Sequence, residues 1–171
     1  MLNNDFIRLR AVEPADVEFL FETENDTSLW KVSETQVPFS RSTMKKYAES
    51  VHDLNQQGQF RYIVERIEDN KRLGMIDLFD YNAMNNRVGV GIVVLPEYQN
   101  SGVASAALEL LINYAKSHLV LKQVHCSIQA NNDNSIRLFE KQGFVKVGER
   151  KQWYRTANGW EDELLFQLIL T

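Results

Sequence analysis

Cysteine is nearly missing from this chain: Cys126 is the only one. No internal disulfide can form, which fits a reducing compartment and predicts a cytoplasmic protein. Basic charge is not in surplus either. A net charge of −4 argues against a nucleic-acid footprint and for cationic partners. No apolar run approaches the roughly 20 residues that span a bilayer. Met1-Leu2-Asn3-Asn4-Asp5 has no basic segment followed by an apolar one, so neither a signal peptide nor a membrane partner is expected. His52, His118 and His125 show no metal-ligand spacing with one another or with Cys126, and no metal is expected. Proline and glycine are sparse, and no repeat or linker interrupts the 171 residues. They read as one domain spanning 1–171.

What is present centres on one stretch, residues 89–104. It reads as a strand ending at Leu95-Pro96, a polar loop with Gly102, and a helix. Such a loop presents free N–H groups on a positive helix end, which is an anion site. Ala104, Ala107, Leu108, Leu111 and Ala115 form the buried stripe of the helix. Upstream, residues 6–10 alternate as a strand, and Pro14 opens a helix that buries Val17, Leu20 and Phe21. Ser40 or Ser42 caps a second helix running to about Gln57, which Gly58 ends. Three antiparallel strands follow, over 60–67, 73–80 and 87–94. Beyond the central helix come a strand over 124–129, a short helix over 135–142, and a hairpin turning at Ala157-Asn158-Gly159. The order β-α-α-β-β-β-α-β-α-β-β predicts an α+β (mixed α/β) fold. Its sheet is mostly antiparallel, with one parallel β-α-β step and flanking helices.

Two motifs in that frame resemble the GNAT superfamily of acyl-CoA-dependent N-acetyltransferases. The first is Gln99-x-x-Gly102-x-Ala104 after the strand. The second is Asn132-x-x-Ser135-x-x-x-Phe139-x-Lys141-x-Gly143-Phe144. The resemblance runs from Ile7 to Leu170 and is nearest to the branch of spermidine/diamine and ribosomal-protein N-acetyltransferases. It implies the GNAT fold and acetyl-CoA as co-substrate. It also implies that Gln99, Asn100, Ser101, Gly102, Val103 and Ala104 wrap the pyrophosphate. Ile92, Val93 and Val94 pair with the pantetheine arm through their backbone, and Asn132 and Ser135 contact the cofactor. Each of that last pair has a plainer reading, Asn132 as a helix cap and Ser135 as a small packing residue. The Val94 N–H is the expected oxyanion donor.

The chain departs from the family at two places. Many relatives carry a tyrosine, assigned as the acid for the thiolate, where this chain has Phe139. Tyr98 and Tyr154 are substitute candidates, or the thiolate leaves without an acid. Many relatives also carry an acid where this chain has Gly89. Arg87, Gly89, Gly91 and Val93 share a strand face that two glycines leave nearly bare. Asp77 lies among apolar neighbours on the preceding strand, where a carboxylate is costly to bury unpaired. It reads either as an ion-pair partner of Arg87 or as a group that holds a substrate ammonium or takes its proton. Trp30 and Glu34 lie in an irregular segment that folds over the acceptor in relatives. Cys126 reads as a packing residue. The expected activity is acetyl transfer to a primary amine, by resemblance a small diamine or polyamine, through direct attack. A protein N-terminus as acceptor, or a non-catalytic acyl-CoA-binding module, are the alternatives. Relatives often form dimers, so a homo-oligomer is a possible partner state.

Overall fold

The computed structural model describes residues 2–33, 35–50 and 52–171. The chain opens with strands β1 (Leu2–Asn3) and β2 (Ile7–Ala11). A 3₁₀ turn over Pro14–Asp16 leads into α1 (Val17–Glu24), and α2 (Trp30–Ser33) is a single turn. Then come α3 (Arg41–Ala48), α4 (Leu54–Gln57), β3 (Phe60–Arg66), β4 (Arg72–Asn82) and β5 (Arg87–Val94). The second half holds α5 (Val103–Ser117), β6 (Gln123–Gln129), α6 (Asp133–Lys141), β7 (Val145–Thr156) and β8 (Gly159–Ile169).

The strands form one sheet in the order β1-β2-β3-β4-β5-β6-β8-β7. Every neighbouring pair is antiparallel except β5 and β6. That single parallel step is the crossover through α5, as the motif order requires. Alternation along β3 divides the interior between two sheet faces. Tyr62 and Val64 join the cluster under α5, with Leu108 and Leu111. Ile63 joins Leu20, Met44 and Met75 in the cluster under α1 and α3. The buried stripe of α5 is Val103, Ala107, Leu108, Leu111 and Ala115, so Val103 takes the place expected for Ala104. No helix among the described residues is long and apolar enough to cross a membrane.

The helix expected from Ser40 to Gln57 is two helices. The Ser40 hydroxyl caps α3 by accepting from the Thr43 N–H at 3.1 Å. Asp53 then starts α4, accepting from the N–H groups of Asn55 and Gln56 at 2.8 and 3.0 Å. An aspartate bonds the backbone better as a cap than inside a helix, so it restarts the element. Gly58 at φ +69° ends α4, as expected.

Candidate active site

Strands β5 and β6 are in register only over Arg87–Gly89 and Gln123–His125. Beyond that, β5 stays bound to β4 and β6 to β8, so the two strands part. The gap is a cleft of about 490 Å³ between residues 90–93 of β5 and 126–129 of β6. The Leu95 N–H donates to the Leu73 carbonyl on β4 at 2.9 Å. Polar groups alternate in direction along a strand, so those of Ile92 and Val94 face away from β4, toward the cleft.

At the end of β5 the backbone enters the left-handed region at Asn100 (φ 59°) and Gly102 (φ 87°). The Gln99 amide donates to the Val94 carbonyl at 3.2 Å, and the Ser101 hydroxyl donates to the Tyr98 carbonyl at 2.5 Å. This loop delivers Gly102 as the cap of the 15-residue α5. The first N–H groups of α5 have no partner within the helix. Facing them across a cavity of about 430 Å³ are Arg137 and Lys141 of α6. Asn132 caps α6, its side-chain oxygen accepting from the Ser135 N–H at 3.1 Å. Ile92, Val93, Asn132 and Ser135 line both this cavity and the cleft, which makes one groove. Converging N–H groups, a helix N-terminus and two cations suit a diphosphate, and an extended amide arm suits the open edge of β5.

The other end of the cleft is a wall of three charged side chains. Arg61 on β3 stands directly opposite Asp77 on β4. Its Nε and one terminal nitrogen donate to the two Asp77 oxygens at 2.8 and 2.7 Å, and the other terminal nitrogen donates to Glu24 at the end of α1. Burial opposes the Arg61 charge, but the hydrogen bonds and charges of Asp77 and Glu24 prevail and raise its pKa above the ordinary arginine value. Behind this wall lies a cavity of about 260 Å³, bounded by Phe39, Tyr47, His52, Phe60 and Phe79. Glu24, Arg61 and Asp77 line both spaces.

A family model described as an acetyltransferase (GNAT) domain matches residues 7–145. The chain belongs to the GNAT acetyltransferase family. It is therefore an acetyl-CoA-dependent N-acetyltransferase, and acetyl-CoA is its co-substrate. The acetyltransferase is 27% identical over 146 residues to the spermidine N(1)-acetyltransferase of Escherichia coli (strain K12), covering 84% of this chain and 75% of that one. It is 27% identical over 182 residues to the putative ribosomal N-acetyltransferase YdaF of Bacillus subtilis (strain 168), covering 98% and 92%. Among solved structures, it matches a spermidine N-acetyltransferase from Vibrio cholerae in complex with CoA and spermine. The TM-score is 0.84, with 97% of this chain and 96% of that one covered at 19% identity, a likeness of fold.

Several expected positions of the acetyltransferase stand otherwise than the sequence suggests. The ion-pair partner of Asp77 is Arg61, not Arg87; across from Arg87 on β4 is Asn82. The strand face at Gly89 is not bare. A side chain there would meet the Phe79 ring at 2.3 Å, so glycine makes room for a phenylalanine from β4. Phe139 is buried, its ring edge-on to Phe144 at 5.0 Å, and it lines the cleft. Tyr154 lines the same cleft and donates its hydroxyl to Glu163 at 2.6 Å, while Tyr98 lines the cavity at the start of α5. Trp30 donates its indole N–H to the Glu24 carbonyl at 2.8 Å. It borders a separate hollow with Lys31 and Gln129, whereas Leu29 and Val32 of its segment roof the groove. Glu34 lies outside the described residues. Cys126 is buried, and burial pushes its thiol up to about 12, so it is no nucleophile.

Residues missed in the sequence are Glu24, Arg61, Arg137 and Lys141 in their site roles, with the buried Glu163. For Arg61 a signal existed. A hairpin turning about Asp69 sets residue 61 opposite residue 77, so the two charges are cross-strand partners by counting alone.

Proposed function

We propose that the acetyltransferase, acting as one domain over residues 1–171 in the cytoplasm, acetylates a primary amine of a small diamine or polyamine. The observation that carries this reading is the continuous groove, with N–H donors and cations at one end and the Glu24/Asp77 carboxylates at the other. The spermidine-acetylating relative supports the acceptor class. Gln99 to Ala104, with Arg137 and Lys141, hold the pyrophosphate. Ile92 and Val94 bind the pantetheine arm by backbone, Val93, whose backbone polar groups face β4, lines the groove between them, and Asn132 and Ser135 close the other side. Asp77, with both oxygens taken up by Arg61, serves with Glu24 as an anchor for positive charge rather than as a base. Trp30 fixes the segment that roofs the groove, which is its part in substrate binding.

The amine loses its first proton to water and attacks the thioester carbonyl. The new C–N bond forms, the C–S bond breaks as the CoA thiolate leaves, and the nitrogen gives its second proton to water, so that a neutral amide remains. The Val94 N–H stabilises the carbonyl oxygen as it gains charge. Phe139 supplies no proton, and the Tyr154 hydrogen is committed to Glu163. The thiolate therefore leaves without a dedicated acid, which a thiol ionising near about pH 8.5 permits. Burial disarms the Cys126 thiol, which supports direct attack without an acyl-cysteine intermediate. The edge strand β7 exposes Val145, Val147 and Trp153, an apolar edge suited to a second copy in a homodimer.

The test is thiol release from acetyl-CoA, measured with putrescine, cadaverine, spermidine and a panel of peptides with free N-termini. Release stimulated by the small amines supports the reading. Release with peptides alone moves the acceptor to a protein N-terminus. Tight CoA binding with no stimulated release by any amine reduces the chain to a binding module.

A further inference from the structure

The wall between cleft and inner cavity carries two carboxylates and one guanidinium. Glu24 and Asp77 both pair with Arg61, so the wall has a net charge of −1 (two negative, one positive). The guanidinium does not lie at the rim. Its side chain is 21% exposed and its carbon sits 5.8 Å from the centre of the Tyr47 ring. It is therefore a fixed part of the wall, not a mobile surface cation. Asp77, at 32%, is the most open member of the three.

Acetyl transfer sets a charge count for the acceptor. The attacking nitrogen must be neutral, so a diamine enters with one remaining ammonium and a triamine with two. A cation held out of water without a counter-charge is costly. One net negative charge suits one ammonium. The rest of the inner cavity fits the same guest: Phe39, Tyr47, Phe60 and Phe79 offer apolar surface for a methylene stem and aromatic faces for an ammonium.

We propose that Arg61 determines acceptor specificity by cancelling one of the two carboxylates, so that short diamines are preferred to triamines such as spermidine. This rests on the small-amine reading of the site. Arg61 touches neither thioester nor attacking nitrogen; it acts through Glu24 and Asp77.

The experiment compares kcat/KM for cadaverine, spermidine and butylamine at about pH 8, where imidazoles add little charge. The wild type should favour cadaverine over spermidine by about tenfold, the scale of one charge contact. Arg61→Gln leaves two carboxylates and should invert the ratio, through KM for the amine and not through CoA binding. Glu24→Gln/Arg61→Gln returns the wall to −1 and should restore the cadaverine preference. Glu24→Gln alone keeps the Arg61–Asp77 pair; it makes the wall neutral and should cost cadaverine about tenfold while sparing butylamine. The proposal is overturned if the wild type favours spermidine. It is equally overturned if Arg61→Gln, folded and binding CoA, leaves the ratio unchanged, or if Glu24→Gln affects cadaverine and butylamine alike. If no small amine stimulates thiol release at all, the small-amine reading falls and this inference falls with it. If the amines react with unaltered ratios, only this inference falls.

Discussion

Two charge clusters lie on the same sheet and are built in opposite senses. Near the β2–β3 edge, Asp16 and Glu65 are buried, with side chains 0% and 5% exposed, while Arg8, Arg10 and Arg72 reach them from outside. Asp16 alone accepts from both Arg10 terminal nitrogens, from Arg72 and from the Glu13 N–H. Beside the cleft the arrangement turns over. A single arginine sits in the wall and its carboxylates share the cavity surface. The first cluster ties the 3₁₀ turn to β2 and β4 and has its anions sealed by cations. The second leaves an anion unbalanced at a place a ligand can reach. Chemistry of the same residue types is structural in one and available in the other, and the count of arginines per carboxylate decides which.

The largest way to break this comparison is Asp16→Asn. It leaves Arg10 and Arg72 facing a neutral amide and should cost about 3 kcal/mol, the range for breaking a buried pair. For a domain of this size that is on the order of 10 °C in Tm. The amine KM of the folded enzyme should stay at the wild-type value. Urea denaturation and steady-state kinetics on one preparation check both halves. An altered KM with full stability would reverse the assignment of the two clusters.

Next in size is the acid limit of the first cluster. Burial works against the Asp16 charge, but the bonds from Arg10, the Glu13 N–H and Arg72 outweigh it and hold the carboxyl at about 2, below the ordinary 3.8. A folded-state pKa depressed in this way gives stability that is complete above about pH 4 and is lost as pH falls through about pH 2. The contribution is about 2 kcal/mol. Glu65 is held low by Arg10 and Arg8 against its own burial and adds in the same direction. Unfolding free energies followed from pH 5 down to pH 2 should show the fall, and Asp16→Asn should flatten it.

How much of this was legible in the residues follows from range. The loop-and-helix at Gly102, the cap at Asn132 and the strand over 87–94 are local patterns, and the structure places them where those patterns lie. The parting of β5 and β6 is not local: it depends on β8 binding β6 along its whole length. The Gly89 face reads as empty because a strand pattern shows its own side chains and not those leaning over from the next strand; Phe79 fills it. Asp77 has a cross-strand neighbour on each side, Gly91 on β5 and Arg61 on β3, so its charged partner lies across the β3 hairpin and not across the β5 one. Glu24 and Lys141 were readable only as helix residues, since nothing in their own segments says which cavity they border.

The smallest effect sharpens the comparison most. Asp77→Asn removes a carboxylate from the second cluster but leaves the Arg61–Glu24 pair intact. Because Asp77 is one-third exposed, screening limits what its pair adds to stability, and Tm should move by no more than about 2 °C. The wall becomes neutral, and the amine KM should rise about tenfold, or about 1.4 kcal/mol, with Kd for CoA unchanged. Set against Asp16→Asn, the two substitutions then form a crossed pair: one moves stability without KM, the other KM without stability. Should Asp77→Asn lower Tm as far as Asp16→Asn does and leave KM alone, the second cluster is a structural tie like the first. The acceptor would then have to find its counter-charge elsewhere in the cleft, with the buried Glu163 the next carboxylate to examine.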